Sequence, residues 1–314
     1  MFNIPENSFW VMVAVLCLLV IASISRFIIE KSHPDKDYTE LRQRIQSWWW
    51  MIGILFVFMT LGQTSGKTYG IILFAFISFL ALKEFFSIVP TRQCDRRVIF
   101  WAYLAIPIQY YLISIEWYGL FIIFIPVYLF LFLPMRMVLI GETQGFIRAA
   151  GVIHWAVMLT VYCLSHIAYL LVLPEKNPDA GSMGLVIFLL FMTQFNDVSQ
   201  YIWGKALGKH PIIPKVSPNK TWEGFLGGMF TIAISAAFIG PLLTPLNMQL
   251  SLIAGLIINA SGFIGDVVIS SVKRDLAIKD SGDLIPGHGG ILDRFDSLIF
   301  TAPLFFHYLY YMAY

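Results

Sequence analysis

Asp293 and Asp296 stand at i and i+3, a spacing that puts both carboxylates on one face of a helix beginning near Ile291. Asp266 lies upstream, about one helical turn inside an apolar run, where a carboxylate is costly unless it pairs with a cation or lines a wet cavity. Together these acids could offer three oxygen ligands to Mg²⁺, which prefers octahedral oxygen coordination at roughly 2.0–2.1 Å and usually adds substrate phosphates and water. Between and around them sit Lys273, Arg274, Lys279 and Arg294, with the string Gly287-His288-Gly289-Gly290 just ahead of Asp293 and Asp296. Glycines there let the backbone approach an anion closely, and the start of the following helix would direct N–H groups at it. Acids for a metal, cations for charge and a glycine loop next to a helix start describe a polyphosphate site.

A second polar stretch carries the same chemistry. Asp197, Tyr201 and Lys205 recur at i, i+4 and i+8 on one helical face, and Ser270 shares a face with Asp266 and Lys273 or Arg274. Ser217, Lys220 and Thr221, just before another apolar run, combine hydroxyl donors, a cation and a helix start suited to phosphate oxygens. Thr221 with Glu223 could alternatively be ordinary helix capping.

The elements that must hold these residues are membrane spans. With 58% hydrophobic and 13% charged residues, the chain is far from a soluble globular domain. Runs of about 20 apolar residues cross roughly 30 Å of hydrocarbon, and about ten can be placed: 9–29, 47–62, 69–89, 98–114, 118–135, 149–173, 185–203, 224–243, 249–272 and 297–313. The second is short and the fourth and fifth nearly join through Glu116, so the expected count is nine to ten. Backbone groups must be paired within each span, so the fold class is all-α, a polytopic integral membrane helical bundle. The first run lacks a basic leader and a small-residue cleavage site, and reads as a retained anchor.

Starting outside and crossing ten times, the inner loops are 30–46, 90–97, 136–148, 204–223 and 273–296, and of 21 Lys and Arg only Lys67 and Lys176 fall on the other side. Arg26 and Lys83 lie near inner span ends, where long stems snorkel to headgroups. Trp48, Trp49 and Trp50 fit an interfacial belt. The expected organisation is an N-terminal helical region over 1–180, with about six spans, and a catalytic region over 181–314 carrying loops 204–223 and 273–296.

Other strings carry no chemistry. Gly62 to Thr68 resembles a phosphate loop but is one residue short, follows no strand and faces outside. The sequons at Asn219 and Asn259 fall in an inner loop and within a span. Cys17, Cys94 and Cys163 are scattered, and His33, His154, His166, His210 and His307 lack metal-ligand spacing. In-span histidines are expected to hydrogen-bond a neighbouring helix.

From Ser270 to Asp296 the pattern Ser-x-Val-Lys-Arg-x4-Lys-Asp-x-Gly-x2-Ile-Pro-x-His-Gly-Gly-x2-Asp-Arg-x-Asp resembles the phosphatidate cytidylyltransferase signature. Asp197 with Gly204-Lys205, and Lys215-Val-Ser217-Pro-x-Lys220-Thr221-x-Glu223-Gly224, resemble the same family, so the likeness covers the C-terminal half. Asn196 stands where Ala is common in that family. The resemblance implies a homodimeric enzyme of the bacterial inner membrane with a cavity open to the cytoplasm and inner leaflet. It would transfer CMP from CTP to phosphatidate, giving CDP-diacylglycerol and pyrophosphate, with no nucleic acid as partner.

The resemblance further implies Asp266, Asp293 and Asp296 as Mg²⁺ ligands, with K⁺ beside the Mg²⁺. Ser217, Lys220, Thr221, Lys273 and Arg274 would contact CTP phosphates or the lipid headgroup, and Arg294 would offset charge on the departing pyrophosphate. Asp197, Lys205, Ser270, Lys279, Gly289 and Gly290 belong to the binding surface, and His288 would order the glycine loop or a phosphate. Two rival functions remain: a CTP-dependent lipid-alcohol kinase, which would move the γ-phosphate, and a transporter. The latter would place ionisable groups near the midplane within inverted repeats.

Overall fold

The computed structural model describes residues 5–32, parts of 38–57, 67–282 and 289–314. Nine helices are followed from end to end among the described residues: α1 Glu6–Ser32, α2 Thr68–Ile88, α3 Arg96–Ser114, α4 Tyr118–Val138, α5 Phe146–Leu170, α6 Gly181–Leu207, α7 Trp222–Leu243, α8 Met248–Asp275 and α9 Ile291–Ala313. Residues described between 39 and 57 are also largely helical. Every apolar run placed from the sequence thus falls mainly on helix where it is described, with 69–89 and 149–173 overrunning their helices by one and three residues.

Among the described residues seven helices are long and apolar enough to cross a membrane. The exceptions are α3, which opens on Arg96 and Arg97 and carries Gln109, and α9, whose first two turns hold Asp293, Arg294 and Asp296. Half of the run 47–62 lies outside the described residues, as do His33, His288 and most of the phosphate-loop-like string. The chain is therefore an all-α membrane bundle, and the finer count rests on those three segments.

Local sequence explains several boundaries. Asn247 caps α8 by accepting from the Leu250 N–H at 2.9 Å, and Thr221 caps α7 through Gly224 N–H at 3.2 Å. Glu116, at φ 57°, breaks the chain between α3 and α4. Helices α4 and α5 widen to π-type turns over Phe124–Leu129 and Met158–Cys163. His154 bridges that region, its Nε2 3.0 Å from the Phe130 carbonyl of the neighbouring helix. His166 instead bonds within its own helix, to the Tyr162 carbonyl at 2.8 Å.

The broadest interfaces run in chain order, α6 on α7, α7 on α8 and α8 on α9, while α9 also packs on α2, α5 and α6. One buried core joins both halves, from Phe85 and Phe121 to Phe188, Phe305 and Phe306. Contacts define two ends. At one, Asn177 Nδ2 donates to the carbonyls of Pro241, Leu242 and Thr244, Asn7 N–H donates to Asp179, and Lys67 and Lys176 reach Val172 and Ala313. At the other, Arg92 ties Asp95 to the Glu142 and Gln144 carbonyls, and the polar loops around α6–α9 gather.

One element departs from the all-helical expectation. Within loop 204–223, β1 Pro211–Ile213 and β2 Ser217–Thr221 form an antiparallel ribbon, pairing Pro211 with Thr221 and Ile213 with Ser217. Its first strand is only three residues long and begins with a proline, too short to leave an alternating pattern.

Candidate active site

The polar-loop ends of α6, α8 and α9 and the ribbon bring four acids and their cations together. Lys220, at the end of β2, places its ammonium 2.5 Å from Asp266 Oδ2, and Ser270 Oγ donates to Asp266 Oδ1 at 3.3 Å. Asp197 on α6 accepts from Ser297 Oγ at 3.1 and 3.2 Å, and Asp296 on α9 accepts from the Ser297 N–H at 2.7 Å. Asp197, Asp266 and Asp296 lie within electrostatic reach of one another and of Lys220. Burial alone would lower the Lys220 pKa, but the surrounding Asp266, Asp197 and Asp296 outweigh it and raise it above the ordinary lysine value.

Close approach of α8 and α9 brings this about. A methyl on Gly265 would stand 2.4 Å from the Asp296 carbonyl oxygen, so only glycine lets the two backbones meet beside Asp266.

Asp293 has different surroundings. Its Oδ1 accepts from Lys273 Nζ at 2.7 Å, and its Oδ2 from Ser281 N–H at 2.8 Å, Ser281 Oγ at 2.9 Å and Gly290 N–H at 3.0 Å. The i, i+3 spacing with Asp296 is realised on α9, but Asp293 braces the loop while Asp296 faces Asp266 and Asp197. Gly289, at φ 76°, occupies left-handed backbone against that carboxylate.

The remaining expected residues take varied positions. Arg274 Nε donates to the Val216 carbonyl at 3.3 Å, holding the ribbon's turn. Arg294 lies within electrostatic reach of Asp197, and its Nε is buried without a protein partner among the described residues. Ser217 opens β2 half-buried, and Thr221 uses its hydroxyl oxygen as the α7 cap, leaving the hydroxyl proton available. Glu223 accepts from the Lys209 and His210 N–H groups and lies 2.5 Å from His210 Nδ1. Lys279 is exposed. Lys205 turns out over the Tyr201 ring at 5.8 Å, two turns beyond Asp197, so the shared face does not make it a partner of that acid.

Sequence reasoning passed over several residues that the geometry makes central. Glu84 reaches the loop from α2, and Ser281 and Ser297 bridge carboxylates. Asn196, Gln200 and Asn259 form a buried amide cluster beside Asp197: the Asn259 and Gln200 amide groups donate to Asn196 Oδ1 at 2.6 and 3.1 Å. Glu84 and Asn259 were signalled only as polar groups inside apolar runs.

The donor set fits a magnesium ion in kind: several carboxylates face few cations, beside a buried guanidinium nitrogen with no protein partner among the described residues. Among the described residues no three such side chains are already gathered around one point at ligand distance.

Fold and site together define a membrane-embedded bundle with acids and cations clustered at one polar end. The chain belongs to the cytidylyltransferase family, whose model matches residues 42–312, and it is a nucleotidyltransferase that uses CTP. It is 46% identical over 299 residues to an Escherichia coli (strain K12) protein named "Uncharacterized protein YnbB", covering 95% of this chain and 96% of that one. It is also 39% identical over 150 residues to a phosphatidate cytidylyltransferase of Staphylococcus aureus (strain COL), covering 47% of this chain and 58% of that protein. A Staphylococcus epidermidis phosphatidate cytidylyltransferase is 38% identical over 151 residues, with the same shares. The chain thus spans just over half the length of these two relatives.

Proposed function

We propose that this protein transfers CMP from CTP to phosphatidate, forming CDP-diacylglycerol and releasing pyrophosphate. The observation that carries the reading is the meeting of Asp197, Asp266 and Asp296 around Lys220 at the polar end of a lipid-embedded bundle. The Staphylococcus relatives' names supply the acceptor.

A phosphomonoester is largely dianionic near neutral pH, its second pKa being about 6. One of its oxygens can therefore attack the CTP α-phosphorus without a general base. The new O–P bond forms as the bond from the α-phosphorus to the oxygen bridging to the β-phosphorus breaks, and that electron pair leaves on pyrophosphate. The protein's task is positioning and charge neutralisation. Lys220, Arg294 and Lys273 would face the phosphates, and the hydroxyl protons of Thr221 and Ser217 would donate to their oxygens.

Asp266 and Asp296, with Asp197 beside them, would hold Mg²⁺, which when bound neutralises polyphosphate charge. Asp293 would join them by releasing Lys273. The same acids would hold K⁺ as a second cation. The division at residue 180, the nine to ten spans, a homodimer and a site facing the cytoplasm from the bacterial inner membrane complete the proposal. Lys67 and Lys176 at the end opposite the site support that orientation.

The test is purified protein in phosphatidate liposomes with Mg²⁺ and CTP labelled at either the α- or the γ-phosphate. The proposal expects α-label in lipid and γ-label in pyrophosphate. Label from the γ-position in lipid would make the protein a kinase, and no labelled lipid from folded protein would end the assignment.

A further inference from the structure

Glu84 lies near the end of α2, inside an apolar run and 7% exposed, where an acid is costly without partners. Its partners are N–H and O–H donors from a distant part of the chain. Oε2 accepts from Ile291 N–H at 2.7 Å, and Oε1 accepts from Leu292 N–H at 2.9 Å. Ser281 Oγ stands 2.5 Å from Oε1 and 2.9 Å from Asp293 Oδ2, so one hydroxyl joins two carboxylates. The first N–H groups of a helix have no partner within it, and here an acid from another helix supplies one.

The glycines around Glu84 fit this arrangement. A methyl on Gly290 would stand 2.0 Å from Glu84 Oε1, and one on Gly282 would stand 3.3 Å from Oε2. The glycine at 290 therefore admits a carboxylate of the protein itself. Asp293 closes the same knot from the opposite side through Ser281 and Gly290.

We propose that Glu84 is a positioning residue of the active site: it clasps the start of α9 and Ser281, and so sets where Asp293, Arg294 and Asp296 point. The proposal rests on the cytidylyl-transfer reading for its catalytic consequence, but the clasp itself is a property of the fold. Glu84 touches no substrate; it acts through the helix that carries the acids. Losing it lets the first turn of α9 shift, and misplacement by about 1 Å can cost on the order of 10²-fold in rate.

The experiment compares full-length wild type, Glu84→Ala, Glu84→Gln and Ser281→Ala in detergent. The first readout is amide hydrogen exchange in peptides covering 279–282 and 289–296. The second is kcat, KM for CTP and the Mg²⁺ concentration giving half-maximal rate. In Glu84→Ala the clasped amides should exchange about fivefold faster or more. Its kcat should fall about tenfold or more, with a raised Mg²⁺ requirement. Glu84→Gln keeps one acceptor oxygen and should fall between.

Wild-type exchange in Glu84→Ala would overturn the clasp. Faster exchange with unchanged kcat and Mg²⁺ response would overturn the positioning role. If Glu84→Ala does not fold, Glu84→Gln and Ser281→Ala decide by the same criteria. A wild type inactive on phosphatidate would strike at the proposed reaction instead, and exchange alone would then judge the clasp.

Discussion

Lys273 Nζ lies 2.7 Å from Asp293 Oδ1, joining the last turn of α8 to the first turn of α9. Asp266, on α8, is two turns before that lysine, and Asp296, on α9, is one turn beyond that acid. The ion pair therefore fixes the separation of the two helices that carry the acids. Lys273→Met should leave Asp293 bound to Ser281 and Gly290 while freeing the helix ends. We expect a loss of about 1–3 kcal/mol in stability and a drop in turnover. Combining it with Asp293→Asn should cost less than the sum of the single changes, measured by detergent unfolding and initial rates.

Lys220 sits among Asp266, Asp197 and Asp296 and offsets their charge. Lys220→Met should slow turnover by roughly 10²–10³-fold, as removal of one group from an electrostatic site does. Turnover within twofold of wild type, in protein that elutes normally on size exclusion, would remove Lys220 from the site.

Gly265 allows α8 and α9 to touch beside Asp266 and Asp296. Gly265→Ala drives a methyl into backbone, which cannot move as a side chain would. Overpacking of this kind costs about 1–3 kcal/mol. Activity should fall further than stability suggests, because both acids ride on the helices being parted. Thermal unfolding and initial rates read side by side check it.

Thr221 serves α7 as a cap and, in the proposed reaction, a phosphate as donor. Thr221→Ser should stay near wild type in both respects. Thr221→Val should lose about 1 kcal/mol of stability and raise KM for CTP. A lowered melting temperature with unchanged KM would leave the residue a cap alone.

The apolar runs marked most helices well because hydrocarbon forces backbone pairing within each span: 185–203 became Gly181–Leu207 and 249–272 became Met248–Asp275. The apolar run at 297–313 begins two turns inside α9, but the i, i+3 spacing of Asp293 and Asp296 puts the helix start near Ile291, where it lies. Asp266 with Ser270 was legible because neighbours one turn apart meet on a helix.

Other features depended on chain separation. Lys220 meeting Asp266 and Asp197 needs the ribbon, and Glu84 meeting Leu292 joins residues 208 positions apart. Helical periodicity reports only near neighbours, so Glu84 beside Lys83 gave no sign of its partners. Lys205 shows the converse limit: it shares a face with Asp197 by spacing, yet two turns of rise leave it over Tyr201.

The most direct test of cytidylyl transfer at these acids is pyrophosphate release from CTP by wild type and Asp296→Asn reconstituted with or without phosphatidate. Release should require phosphatidate, match CDP-diacylglycerol formed mole for mole, and fall by roughly 10²-fold or more in Asp296→Asn. Release independent of phosphatidate, or equal in the two proteins, would contradict cytidylyl transfer at these acids.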